Sequence, residues 1–552
     1  MFCPKLSFPL IGRLMPDKSV ETIERLEGPW LDGRATIHSL VLDALAKRGL
    51  AKEELRIELA PKYPGEINWA PGALDSLFGK QDTSDRQTKA RRLVATISNV
   101  LRRPTEGNAA HLYGLLCESD TISVVDAVLS RVRDEIVDRR EALATLSRRL
   151  ILESPDVEPV KAGVALLGVS GGANDAALIS TMGNYEQITI YSVVALSNLL
   201  ADAEQAIWSM ARDVHGWGRV RAVNLRATTK NPEIKNWMLR EGFRNTIMYE
   251  YLAHICATAG ELSVALRGNE IDTELLIATG EILSALIRGG PAEEIEDYID
   301  GPAVCVSYLR HMATNPARDV RAVEAVFDIK RICEREQAER LRSRPGWNAQ
   351  VFLEIRSLVN AVLQNATIKT FIEEGLSSED SVTFNIAASI ASNFGIDSWP
   401  LRLTRQRVQA LDLWYWLMQT EDPTRIEQVV GLARAQLNLD LIGSGPTTSL
   451  GMGLEFSDDH ALEFVLQDLR RFPGIGWDLV RVGLRGRVAR TRNMAINVLR
   501  DLGRDAWPPD AMEELRLAAE REPDKNIRQR MRDLIDGQLR REEVDPGNRT
   551  RR

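Results

Sequence analysis

The sequence predicts an all-α fold assembled from short antiparallel helix pairs stacked side by side. Three observations lead there. Apolar residues recur at helical spacing through most of the chain, with almost no strand-like alternation. The helical stretches are short and separated by brief polar breaks. The block Val220-Arg221-Ala222-Val223 returns letter for letter as Val320-Arg321-Ala322-Val323, an interval that three units of about 33 residues would span. At 552 residues the chain is well past the roughly 250–300 at which a single core stops growing, so it holds several domains or an elongated array. A hydrophobic fraction of 44% and a charged fraction of 27% suit a folded chain, and no apolar run approaches the ~20 residues of a membrane helix. The formal charge of -8 removes any global attraction to a polyanion and leaves only a local basic face for that purpose.

Residues 1–80 read as an N-terminal helical cap with an irregular excursion, KYPGEINWAPG, where Pro61, Pro64 and Pro71 break regular structure. The opening apolar stretch is short and broken by Pro4, Pro9 and Arg13, which does not suit a secretion signal. Residues 81–440 read as repeats. Ala206, Ile207, Met210 and Val214 mark one helix; His215-Gly216-Trp217-Gly218 interrupts, and Arg219 to Ala227 resumes. Pro232 opens the next helix to Arg240, Glu241-Gly242 closes it, and Asn245 to Ala259 is its partner. Val160-Lys161-Ala162 lies two units before Val220, with Ile188 between. Residues 345–440 are helical by pattern without a fixed register. The segment 441–453, ending GSGPTTSLGMG, reads as a flexible loop dividing the array; 454–540 reads as C-terminal repeats whose last helix opens at Asp524, and 541–552 as a disordered tail.

One helix pair cannot bury both of its apolar stripes, so such units must stack on neighbours of the same shape. Asp319 can cap the helix that begins at Val320, and Arg321 can reach an acid in the adjacent unit. With Asp319-Val320-Arg321 at its helix start, the chain resembles the HEAT and armadillo class of α-solenoids, most clearly over 85–335 and less so over 460–540. Gly218 and Glu158 stand where that class places its capping Asp. The resemblance implies HEAT-like repeats wound into a right-handed superhelix, with a concave face built from second helices.

Signals for chemistry are sparse. Gly168-Val169-Ser170-Gly171-Gly172 fits the letters of a nucleophile elbow, but the VEPVKAGVALL before it is helical, so a helix C-terminus is expected. Six scattered histidines include no HExxH pair, and Asp458-Asp459-His460 is expected to cap a helix starting near Ala461, so no metal site is expected. Neither a phosphate loop nor a dinucleotide fingerprint is present, so no cofactor is expected. The cysteines Cys3, Cys117, Cys256, Cys305 and Cys333 are far apart and odd in number, which suits a reducing, cytoplasmic setting. Trp414-Tyr415-Trp416 sits among leucines and is expected in the core.

Two segments are candidate binding sites. His215, Trp217 and Arg219 surround a tight Gly-rich turn and could face a ligand or partner. Arg470, Arg471, Arg481, Arg485, Arg487, Arg490 and Arg492 share a window whose sole acid is Asp478, with Phe472 and Trp477 available to stack. The expected function is that of a non-catalytic scaffold holding a protein partner. One alternative is a nucleic-acid binder resembling HEAT-like alkylpurine glycosylases, using the arginine-rich face. A further resemblance, over His215 to Asn245 and Tyr249 to Ala253, is to a bacterial HEAT-like family some of whose members are labelled limonene hydroxylase. It implies monoterpene oxidation, which calls for haem, flavin or metal.

Overall fold

The computed structural model describes residues 18–47, 85–225, 228–268, 271–409 and 412–538. The irregular KYPGEINWAPG segment, Cys3, Leu411 and the 541–552 tail lie outside them. The regular structure among the described residues is all helical and includes no strand. They fall into two compact units, 1–368 and 369–552.

In the first unit, helices Arg86–Arg102, Thr121–Glu135, Val157–Ser170, Glu186–Leu199, Gly216–Asn224, Glu250–Ala259, Thr273–Arg288, Val320–Arg331 and Ala349–Leu363 form one rank, each packed on the next. Intervening helices such as Arg140–Glu153, Ala176–Met182, Glu204–Asp213 and Gly301–Thr314 pack against that rank. Val160, Ile188, Val220 and Val320, the residues that carry the period, are all buried in the first two turns of rank helices. Full burial of each such side chain contributes about 1.5–3 kcal/mol, which no isolated pair could gain on both faces. A close helix approach depends on Gly168, where a Cβ would stand 2.7 Å from the Ala195 Cα. Lys18–Glu24 and Ile37–Lys47 pack on Arg140–Glu153, where the Trp30 indole donates to Glu153 at 2.7 Å and Arg149 to the Ile23 carbonyl at 2.6 Å.

Side-chain capping is present at some of the helix starts that an Asp precedes and absent at others, such as Asp120 and Asp156. Asp319 accepts from the Arg321 amide at 2.8 Å, Asp272 from Leu275 at 2.9 Å, and Asp524 from Asn526 and Ile527. Arg321 is held mainly by Asp319 itself at 2.5 Å and reaches Glu281, on Thr273–Arg288, at 3.4 Å.

In the second unit, Trp414–Met418, Ser457–Leu469, Ala489–Leu502 and Lys525–Ile535 pack in succession, with Trp477–Leu484 and Ala511–Arg521 beside them. The segment expected to divide the array lies inside this unit. Thr447 donates through its amide and hydroxyl to the Arg487 carbonyl, and Arg492 donates to the Thr447 carbonyl at 2.9 Å.

Candidate functional site

The helix Glu204–Asp213 is followed by two extended residues, Val214 and His215, which separate it from Gly216–Asn224. Gly216 has φ +59°, and a Cβ there would also lie 2.4 Å from Glu186 Oε2. Only glycine meets both conditions. Because the chain turns so tightly, Trp217 and Gly218 belong to the first turn of the second helix instead of interrupting the pair. Trp217 is buried against Tyr251, with ring centroids 4.8 Å apart, so it supports the site from behind. Arg219 is buried too. It donates to the carbonyls of Val214 at 2.8 Å, Arg244 at 2.6 Å and Arg212 at 3.3 Å, fixing both ends of the turn.

The facing wall comes from the next pair. Asn231 caps Pro232–Trp237, and the helix then widens into a π-helical turn, Met238–Gly242. Such turns insert a residue and re-aim side chains, and they are frequent at functional sites. The partner helix begins at Glu250, not Asn245, because 245–249 wraps across the turn: Asn245 Nδ2 donates to the Gly216 carbonyl at 3.0 Å. Arg244 bridges Glu241 at 2.6 Å and Glu281 at 2.5 Å. Tyr249 packs edge-on to Phe243 at 5.7 Å, and burial, with the Glu281 charge, pushes its phenol up.

Between the walls is an open cleft of about 480 Å³. Arg219 and Arg244 line it, with His215 at the turn, Trp237 and Tyr249 as aromatic surfaces, and exposed Arg212 and Thr246 at the rim. Arg212 lies over the Trp208 ring at 5.2 Å. A cleft of this size, with aromatic faces and the exposed Arg212 guanidinium at its rim, suits a group that combines an acceptor with an apolar body. Of the candidates seen in sequence, His215 and Arg219 line this cleft and Trp217 lies behind it. Arg212 and Trp237 escaped notice because the turn that unites them spans two helix pairs.

The arginine-rich window has a different disposition. Arg470 pairs with Asp501 at 3.1 Å, Arg471 with Glu421 at 2.7 Å, Arg481 with Asp510 at 3.5 Å and Arg485 with Glu514 at 2.5 Å. Arg487 pairs with Asp459 at 2.7 Å, Arg490 with Glu463 at 2.5 Å, and Arg492 with Glu522 at 2.6 Å. The Trp477 indole donates to Asp510 at 2.8 Å, Phe472 is buried, and Asp478 pairs with Arg434 instead. Each window arginine thus has a carboxylate from outside the window.

Elsewhere, Ser170 ends the helix Val157–Ser170 with its hydroxyl on the Leu166 carbonyl, and Arg140 occupies the Ser170 and Gly171 carbonyls. Asp458, Asp459 and His460 do not cap a helix from Ala461. That helix begins at Ser457, and the three side chains hold Asn438, Arg487 and the Gly451 carbonyl. Among the described residues no group of His, Cys, Asp and Glu is placed to hold a metal ion, and no helix is long and apolar enough to cross a membrane. Comparison with protein-family models, with curated proteins and with solved structures returns no match.

Proposed function

We propose that this protein is a recognition scaffold in which HEAT-like helix pairs stack as an α-solenoid within each unit and a protein partner is held at the Arg212–Tyr249 cleft. The carrying observation is that the cleft is built from two successive pairs, Glu204–Asn224 and Pro232–Ala259, so that stacking itself creates the concave surface. Support also comes from the succession of rank helices and from the buried period residues, both of which a solenoid requires. The carboxylates paired with every arginine of the 470–492 window neutralise the positive field that a phosphate backbone would need, which favours a protein partner over nucleic acid.

The test uses a double variant at the exposed rim, Arg212→Glu with Thr246→Arg, which fills and recharges the cleft without touching its buried supports. In affinity capture from native extract, the wild type is expected to retain a protein that the variant, at unchanged melting temperature, loses. Identical captured sets, or nucleic acid as the sole captured species, would contradict the proposal.

A further inference from the structure

Three arginines among the described residues are classed as buried, and two of them are fully engaged: Arg219 by three carbonyls, Arg492 by Glu522 and backbone oxygens. Arg402 is the exception. It lies on Trp399–Gln409 and is 7% exposed, yet among the described residues it has no hydrogen bond or ion pair. Its one polar contact is the face of Trp416, 4.7 Å from the guanidinium carbon to the ring centroid. Burial pushes Arg402 down to about 10, the direction expected when a charge loses water and gains no anion.

The surroundings extend the anomaly. The segment from Trp399 to Gln409 carries Arg402, Arg405 and Arg407 and no acid. Asp397, just before it, pairs with Arg425 at 2.5 Å. Arg405 stacks on Phe384 at 3.8 Å and donates to the Ser378 carbonyl, but its Nη1 is buried without an acceptor. Leu401, Arg405 and Val408 share one helical stripe with Arg402 beside it, and Leu401, Val408 and Trp416 are 42%, 76% and 40% exposed.

We propose that Trp399–Gln409 and Trp416 form a docking surface for an acidic segment of a partner protein, whose carboxylate pairs with Arg402 while its apolar residues cover Leu401 and Val408. Charge complementarity commits the occupant: a guanidinium whose Nε is buried without an acceptor, and which has no counter-ion among the described residues, calls for an incoming carboxylate at its open Nη side. The exposed apolar stripe, together with an arginine and a tryptophan at the centre, is the composition of a protein interface, and Leu401 and Val408 favour an amphipathic acidic segment over a phosphate backbone. This surface lies in the second unit and rests on observations separate from the Arg212–Tyr249 cleft.

The test measures fluorescence anisotropy of a labelled amphipathic Glu/Leu peptide against the full chain, with the same peptide carrying Gln for Glu as control. Binding of the acidic peptide is expected to weaken about tenfold or more in Arg402→Met and with the Gln peptide, and to persist in the Arg212→Glu, Thr246→Arg variant. Arg402→Met removes an uncompensated charge at similar volume, so its melting temperature is expected to stay level or rise. Equal binding by Arg402→Met, or full competition by inorganic phosphate, would overturn the proposal.

Discussion

Arg492 and Glu522 form the most enclosed ion pair among the described residues, both side chains at 0% exposure, and Arg492 also holds the Gly486 and Thr447 carbonyls. Breaking such a pair leaves a buried charge, so Glu522→Gln is expected to cost about 3–5 kcal/mol in urea unfolding, whereas Arg335→Gln, in an exposed pair with Glu339, should cost under about 1 kcal/mol. Asp272 gives a pH signature. The Arg240 guanidinium bonded to it holds its carboxyl at about 2, below the 3.8 of a free aspartate. That stabilisation is therefore whole above about pH 5 and is lost as pH falls through 3.8 toward 2. Asp272→Asn keeps the cap and removes the charge. The melting-temperature gap between wild type and Asp272→Asn should stay constant from neutral pH down to about 5 and then close. At this scale the sequence misleads about the arginines of 470–492. Counting charges within the window leaves out Asp459, Glu463, Asp501, Asp510, Glu514 and Glu522, which stacking brings to it from neighbouring helices. Arg402 passes unnoticed for the opposite reason, since only packing reveals that no acid reaches it.

Individual helices are more legible, because apolar period and cap chemistry are local. The pairs expected at 203–214 and from Pro232 are present with small shifts at their ends. The shifts have physical causes: Gly216 turns the chain in one residue, and the π-helical turn at Met238–Gly242 delays the next helix to Glu250. Neither a positive φ nor a π turn leaves a distinctive apolar pattern. Glycine substitutions separate local propensity from packing between helices. Gly114→Ala lies in an exposed helix interior with nothing within 4 Å of the new Cβ and should stabilise by about 0.5–1 kcal/mol. Gly168→Ala meets the Ala195 backbone at 2.7 Å, which cannot give way as a side chain would, and should destabilise by about 1–3 kcal/mol. Thermal unfolding of the two variants is expected to move in opposite directions. A loss in both would mean that helix contacts tighten at Gly114 as well.

Across the whole chain, the all-helical class is fixed by composition and periodicity, and the period found at Val220 and Val320 falls on rank helices three steps apart. The rest of the register is harder to read because the spacing is uneven: rank helices begin at 250, 273 and 320, so no constant interval fits. The division at 368/369 carries no composition break, whereas the Gly-rich stretch before Gly453 is tied down inside the second unit. The proposed recognition by the first unit requires that the rim of the Arg212–Tyr249 cleft be open to a partner. A photo-crosslinking residue introduced at Thr246, on that rim, tests this most directly in native extract, with Glu336, an exposed position outside the cleft lining, as control. The account predicts one protein crosslinked from Thr246 and not from Glu336; the same products from both positions, or none from Thr246, would contradict it.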